Sequence, residues 1–214
     1  RNFWADLSDA LNRDARLSND ANCFALSEAA DGAAASSACS LGVIIGTGCG
    51  AGIVINGQIV NGPRGTGGEW GHSPLPSPTD DERPGPLCWC GRTGCMETWV
   101  SGPGLQADHW RATGEERGVE DIVALAHSGD AAANATLERH LDRLARGLSG
   151  PVNVLDPDIV VLGGGVSEIP GLASALSERL AEHIFADDRH VAVVTARWGP
   201  SSGVRGAARL CFDY

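Results

Sequence analysis

Leu41 to Val60 reads LGVIIGTGCGAGIVINGQIV, and the way this stretch folds decides the architecture. Val43–Ile45 and Ile53–Ile55 are short runs of β-branched residues, whose stiff χ1 suits a pleated chain. Asn56–Gly57 is a two-residue hairpin signal, because both residues tolerate the positive φ that such a turn requires. Between the two strands lies GTGCGAG, Gly46 to Gly52. It reads as a loop that offers backbone N–H groups to phosphate oxygens through Gly46, Gly48 and Gly50, with the Thr47 hydroxyl beside them. It is neither a G-x-G-x-x-G that opens a helix nor a loop ending in G-K-[ST], so neither standard nucleotide motif applies.

Further along, DIVVLGGG (158–165) reads as a buried strand entering a glycine turn. Gly163, Gly164 and Gly165 either make a tight structural turn or allow a flat ligand or a phosphate to approach closely, with a helix to follow. HVAVVTA (190–196) reads as another strand. Helical spacing connects these runs. Leu137, Leu141, Leu144 and Leu148 recur at intervals of four and three, and Pro151 is expected to kink or stop that helix. Leu172, Leu176, Leu180 and Ile184 share one face of a helix over 171–184, and SGVRGAARLCF (202–212) forms a last one. Upstream, residues 3–16 form a short amphipathic segment on Phe3, Trp4, Leu7 and Leu11. NDANCFALSEAADG is a helix opened by Asn19 or Asp20 and closed near Gly32. Strands alternating with helices predict an α/β chain, and the hairpin makes its sheet mixed. Residues 61–68 and the proline-rich 73–86 read as loops.

The composition sets limits. The 214 residues suffice for one large or two small domains, and 43% apolar residues supply a core. A net charge of -11 without any basic block argues against a nucleic-acid surface in this region. No apolar run is long enough to span a membrane. Of seven cysteines only three cluster, which suits a reducing cytoplasm better than a disulfide framework.

Those three lie in LCWCGRTGCMET (87–98). Cys88, Cys90 and Cys95 follow C-x-C-x4-C, with Gly91 and Gly94 allowing a tight knuckle. A fourth ligand is needed to close a metal site, and His72 in GGEWGH is the best placed. Cys3His with short spacings predicts one structural, tetrahedral zinc. The knuckle would pin Glu69 and Glu97 on one rigid patch, where two carboxylates and the second nitrogen of His72 suit hydroxyl recognition. Asp20, beside Asn19 at a helix mouth, is either a plain cap or the group that orients an attacking hydroxyl and takes its proton.

Taken in order, NDANCFALSEA, IIGTGCGAG, GEWGH, CWCGRTGCMETWVSG, LDPDIVVLGGG and SSGVRGAA resemble the ROK family of sugar kinases and sugar-responsive repressors, nearest its fructokinase (manno-kinase) branch. The resemblance implies an actin-like, ribonuclease-H-type fold with two domains and a cleft. Residues 1–38 would be the remainder of a small N-terminal domain. Residues 39–200 would be the large domain with its zinc knuckle at 72–95, and 201–214 a helix packing back toward the small domain. The resemblance also implies Asp20 as catalytic base, Asn19, Glu69, His72 and Glu97 as sugar contacts, and His72, Cys88, Cys90 and Cys95 as zinc ligands. The 46–52 loop and Gly163–Gly165 would face ATP, which with magnesium is the phosphoryl donor. The implied reaction is fructose to fructose 6-phosphate in the cytoplasm, in a protein of a family that often dimerises. A sugar-sensing repressor, or a kinase for N-acetylglucosamine, glucose or mannose, are the alternatives. The family's D-x-G-G-T phosphate loop does not occur in this sequence, so the chain reads as a fragment and is expected to be inactive by itself. Trp198 and Pro200 stand where related kinases often carry histidine and aspartate, which is expected to alter hydrogen bonding in the cleft.

Overall fold

The computed structural model describes residues 3–185 and 190–211. One five-stranded sheet organises the chain: β1 (Cys39–Ile45), β2 (Cys49–Ile55), β3 (Gln58–Ile59), β4 (Ile159–Gly163) and β5 (Ala192–Thr195), in the order β3-β2-β1-β4-β5. β1–β2 and β2–β3 are antiparallel, and β4 lies parallel to both β1 and β5. The mixed α/β sheet is therefore as expected. Asn56 and Gly57, at φ 50° and 76°, make the tight β2–β3 turn. The glycine segment differs from expectation. Ile45 pairs with Cys49, so only Gly46–Gly48 form a loop, while Gly50 and Gly52 are strand residues of β2.

The strand glycines have a packing reason. Helix α2 (Asp20–Asp31) lies across β1 and β2. A Cβ at Gly52 would fall 2.4 Å from the Ala21 carbonyl oxygen, and one at Gly42 would fall 2.9 Å from Ala25 Cβ. Both spacings are well inside van der Waals contact, so only glycine lets the helix seat so low. Alternation along β1 sends Leu41, Val43 and Ile45 to the opposite face. There they meet Val160 and Leu162 of β4, Leu144 and Leu148 of α6 (Ala131–Leu155), and Leu176 and Leu180 of α7 (Leu172–Leu180) in the main core. Between sheet and α6 the chain forms α3 (Met96–Val100), α4 (Gly102–Thr113) and α5 (Val119–His127).

Pro151 does not stop α6, which continues to Leu155. A proline leaves the carbonyl four residues earlier without its helical donor. Here that carbonyl belongs to Gly147, and the buried Trp70 indole N–H donates to it at 2.8 Å. Gly147 also provides the space, because a Cβ there would fall 2.2 Å from Met96 Cε. Other elements are shorter than expected. α1 (Phe3–Leu11) ends before Asn12, whose φ is 46°. α7 ends at Leu180, and Gly165–Glu168 form a 3-10 turn where the sequence suggested a helix directly after the glycines.

Two polar clusters built on buried glutamates fasten the loops. In the proline-rich segment, Glu82 is 5% exposed and accepts from Arg143 Nε at 2.7 Å, from both terminal nitrogens of Arg146 at 2.8 and 3.0 Å, and from the Thr79 N–H at 3.0 Å. Arg143 in turn donates to Asp108 of α4 at 2.6 Å. At the far end of α2, the buried Glu28 accepts from the Ala33, Arg197 and Trp198 N–H groups and from Ser202 Oγ at 2.7 Å. Asp31 accepts from Trp198 Nε1, Arg205 and Arg209. Trp198 and α8 (Ser202–Arg209) are thus tied to the C-terminal end of α2. The final helix expected over 202–212 includes Phe212, which lies outside the described residues. Among the described residues no helix is long and apolar enough to cross a membrane.

Candidate functional site

A cleft of about 990 Å³ opens where α2 begins and β1 turns into β2. Its lining includes Asn19, Asp20, Gly46, Thr47, Gly48, Gly50, Glu69, His72 and Glu97. Residues separated by as many as 78 positions are thus gathered at one opening.

At the helix mouth the capping role falls to Asn19. Its backbone is extended, and its side chain accepts the Ala21 N–H at 2.8 Å. Asp20 is the first helical residue, exposed at the cleft, with Oδ1 on the same N–H at 2.8 Å. The carboxylate therefore sits where the helix dipole and free N–H groups favour negative charge. Opposite, Thr47 is exposed at the tip of the β1–β2 turn, and the Gly46 N–H is engaged by the Gly48 carbonyl at 2.9 Å.

Glu97 reaches the cleft from the first turn of α3. Its Oε2 accepts the Cys49 N–H at 3.1 Å and its Oε1 accepts the Trp89 indole N–H at 2.7 Å. A Cβ at Gly48 would fall 2.7 Å from Oε2, so glycine at the turn makes room for this carboxylate. Glu69 precedes a 3-10 turn, Trp70–His72, which the Trp70–Gly147 hydrogen bond anchors to α6.

His72, Cys88, Cys90 and Cys95 come together, with one ligand atom from each lying within 4.8 Å of all the others. His72 Nδ1 is 3.6 Å from Cys88 Sγ, and Cys90 Sγ is 3.6 Å from Cys95 Sγ. A tetrahedral ion with sulfur bonds of ~2.3 Å requires ligand–ligand edges of about 3.8 Å, so these residues fit one metal ion. The backbone holds them. Leu87 bridges Thr93, Pro74 bridges Cys95, and the Met96 N–H donates to the Ser73 carbonyl at 2.8 Å. Hydrogen bonds from the Arg92 backbone and guanidinium hold Cys90 down to about 6, a ready thiolate, while burial among thiols pushes Cys95 up to about 12. Cys23, Cys39, Cys49 and Cys211 lie outside the cluster.

Gly163–Gly165 do not line this cleft. Gly163 ends β4, and a Cβ there would fall 2.4 Å from the Phe24 ring, so α2 packing accounts for that glycine. Gly164, at φ 84°, lies against the end of β1, where a Cβ would meet the Ile45 carbonyl. Trp198, expected to affect the cleft, fastens α2 instead. Sequence reading missed Glu28 and Glu82, whose partners lie far along the chain. It also missed Trp89 as a cleft residue, although an aromatic between two clustered cysteines was a visible signal.

A family model described as ROK family matches residues 1–213. The chain belongs to the ROK family. An N-acetyl-D-glucosamine kinase of Shigella boydii is 40% identical over 210 residues, covering 96% of this chain and 69% of that protein. The ROK hexokinase of Thermus thermophilus superposes with a TM-score of 0.84 at 34% identity, over 96% of this chain and 67% of that one. A ROK glucokinase from Streptomyces griseus, solved with glucose and AMPPNP, gives 0.80 at 26% identity, over 97% and 71%. The ROK chain thus has the actin-like, ribonuclease-H-type fold of its relatives. The relatives named here are N-acetyl-D-glucosamine, hexose and glucose kinases, so the family is shown and a fructokinase branch within it is not.

Proposed function

We propose that the chain carries the sugar site and the attacking end of a hexose kinase for glucose or a 2-acetamido hexose rather than fructose. That the protein is an ATP-dependent sugar kinase rests on its family and on relatives that are kinases. The observation that carries the site is the single cleft gathering Asp20, Asn19, Glu69, His72 and Glu97 against the Gly46–Gly48 turn. In this reading Glu69, Glu97 and Asn19 accept or donate hydrogen bonds to sugar hydroxyls, and His72 offers the nitrogen not aimed at Cys88. Asp20 takes the proton of the attacking hydroxyl as its oxygen bonds to the γ-phosphorus of ATP. The bond from that phosphorus to the β-bridging oxygen breaks, and ADP leaves. The Gly46–Gly48 turn and Thr47 face the phosphates, and magnesium accompanies ATP.

Zinc is the metal we assign to His72, Cys88, Cys90 and Cys95. Soft thiolates with one imidazole suit it, and four protein ligands make it structural, holding the segments of Glu69 and Glu97 together. Because α2 is seated on the sheet and α8 is tied to α2, both belong in this reading with 39–200, and only the residues ahead of Asp20 go with a smaller lobe.

The test is Asp20→Asn in the complete protein with ATP and magnesium, assayed on glucose, N-acetylglucosamine and fructose. Asn leaves the Asn19 cap and the side-chain shape, so turnover should fall by about 10²–10⁴-fold while sugar affinity changes little. Near-wild-type turnover would refute the role of Asp20, and fructose as the preferred substrate would refute the substrate class.

A further inference from the structure

Trp89 has no role in the site as assigned so far, yet its placement is costly and specific. It is 80% exposed, an unusual position for an indole, and it lines the same cleft as Asp20 and Glu97. Its neighbours on both sides, Cys88 and Cys90, belong to the metal cluster, so its backbone is pinned at two adjacent points. Its N–H donates to Glu97 Oε1 at 2.7 Å. Its ring meets His72 edge to face, with centroids 4.8 Å apart and planes at 81°. Such a ring is oriented by a carboxylate at its edge and an imidazole on its flank, and its broad surface is left to solvent.

A hexopyranose with equatorial hydroxyls has the complementary shape, an apolar C–H face ringed by hydroxyls. An indole face suits the first and a carboxylate at the indole edge suits the second. We infer that Trp89 is a further sugar-contacting residue that covers one C–H face of the hexose and, through its N–H, holds Glu97 in place for a hydroxyl. This rests on the functional reading above and deepens it. Each carboxylate oxygen accepts more than one hydrogen bond, so a sugar hydroxyl joins Oε1 without displacing the indole. Selectivity follows, because a furanose ring, or an axial hydroxyl on the face turned toward the indole, breaks the C–H surface that the ring would cover. Trp89 therefore favours glucose-type over fructose-type substrates.

The experiment compares the complete protein with its Trp89→Ala and Trp89→Phe variants, with metal content measured on each. Trp89→Ala should raise the KM for glucose or N-acetylglucosamine about tenfold, the size of one aromatic contact, and leave the KM for ATP unchanged. Trp89→Phe keeps a ring without the N–H and should fall in between. Tryptophan emission gives a readout independent of turnover. Adding sugar without ATP should shift the wild-type spectrum and leave that of Trp89→Phe nearly still. A metal-replete Trp89→Ala with sugar KM within about twofold of wild type, or equal sugar-induced shifts in wild type and Trp89→Phe, would overturn the inference alone. A wild-type protein that neither binds nor phosphorylates any hexose would overturn the functional reading and this inference together.

Discussion

Replacing Glu82 by Gln is expected to destabilise the fold strongly, although Glu82 lies outside the cleft. Burial by itself would raise this carboxyl. The hydrogen bonds from Arg146 and Arg143 and from the Thr79 N–H outweigh it and hold the group at about 2. Against an ordinary glutamate at ~4.3, that difference favours the charged native form by about 3 kcal/mol. An independent route gives the same size, since removing one partner of a buried ion pair costs about 3–5 kcal/mol. Glu82→Gln should therefore lower unfolding free energy by about 3 kcal/mol at pH 7, or about 6–12 °C in Tm for a domain of this length. The sign with pH follows from the depressed value. The stabilisation is complete above ~4.3 and is lost as pH falls from there through about 2, so the gap between wild type and variant should shrink to about half near pH 3. Urea unfolding of both proteins between pH 7 and pH 3 measures it. A gap below about 1 kcal/mol at pH 7, or one that does not close on acidification, would refute the reasoning.

Other outcomes are specific enough to check. Elemental analysis of metal-replete protein should give one zinc per chain, and its removal should lower stability because three clustered thiols lose the ion that joins them; a substoichiometric result contradicts the assignment. Glu97→Gln should weaken sugar binding while zinc content stays at one per chain, and a variant that loses metal and sugar together would assign Glu97 to the knuckle instead. Trp70→Phe leaves the Gly147 carbonyl without a donor and should cost about 1–3 kcal/mol, whereas an unchanged Tm would mean that α6 tolerates Pro151 without help. His140 is buried with Nε2 against the Val100 carbonyl, and burial holds it below the usual histidine value. It should stay neutral as pH drops through ~6.5, so an NMR titration with an ordinary midpoint would contradict its placement.

The parts legible in the sequence were those written in neighbouring residues. The cysteine knuckle, the Asn56–Gly57 turn and the helix from Asp20 each declare themselves within a dozen positions. The strand lengths did not, because Gly50 and Gly52 look like loop residues until they are seen paired in β2, with α2 pressed on Gly52. Pro151 misled for a related reason, since its remedy is an indole 81 positions upstream. Glu28 and Glu82 carried no local signal, and their partners lie 169 and 61 positions away in chain order. Burying a carboxylate is ruinous unless the right donors converge, and a linear reading does not see convergence.

Asp20 and Glu28 ride on one helix, roughly 12 Å apart along its axis. The strand glycines let that helix sink into the sheet until backbone meets backbone, and seven donors grip its other end. Such a helix cannot slide or roll as a unit without lifting off its seat. The proton acceptor proposed above is thus a stationary reference, to which the phosphoryl donor would have to be carried. Changes at Ser202 or Arg205, remote from any substrate, would then loosen that reference and reduce turnover well before the protein failed to fold.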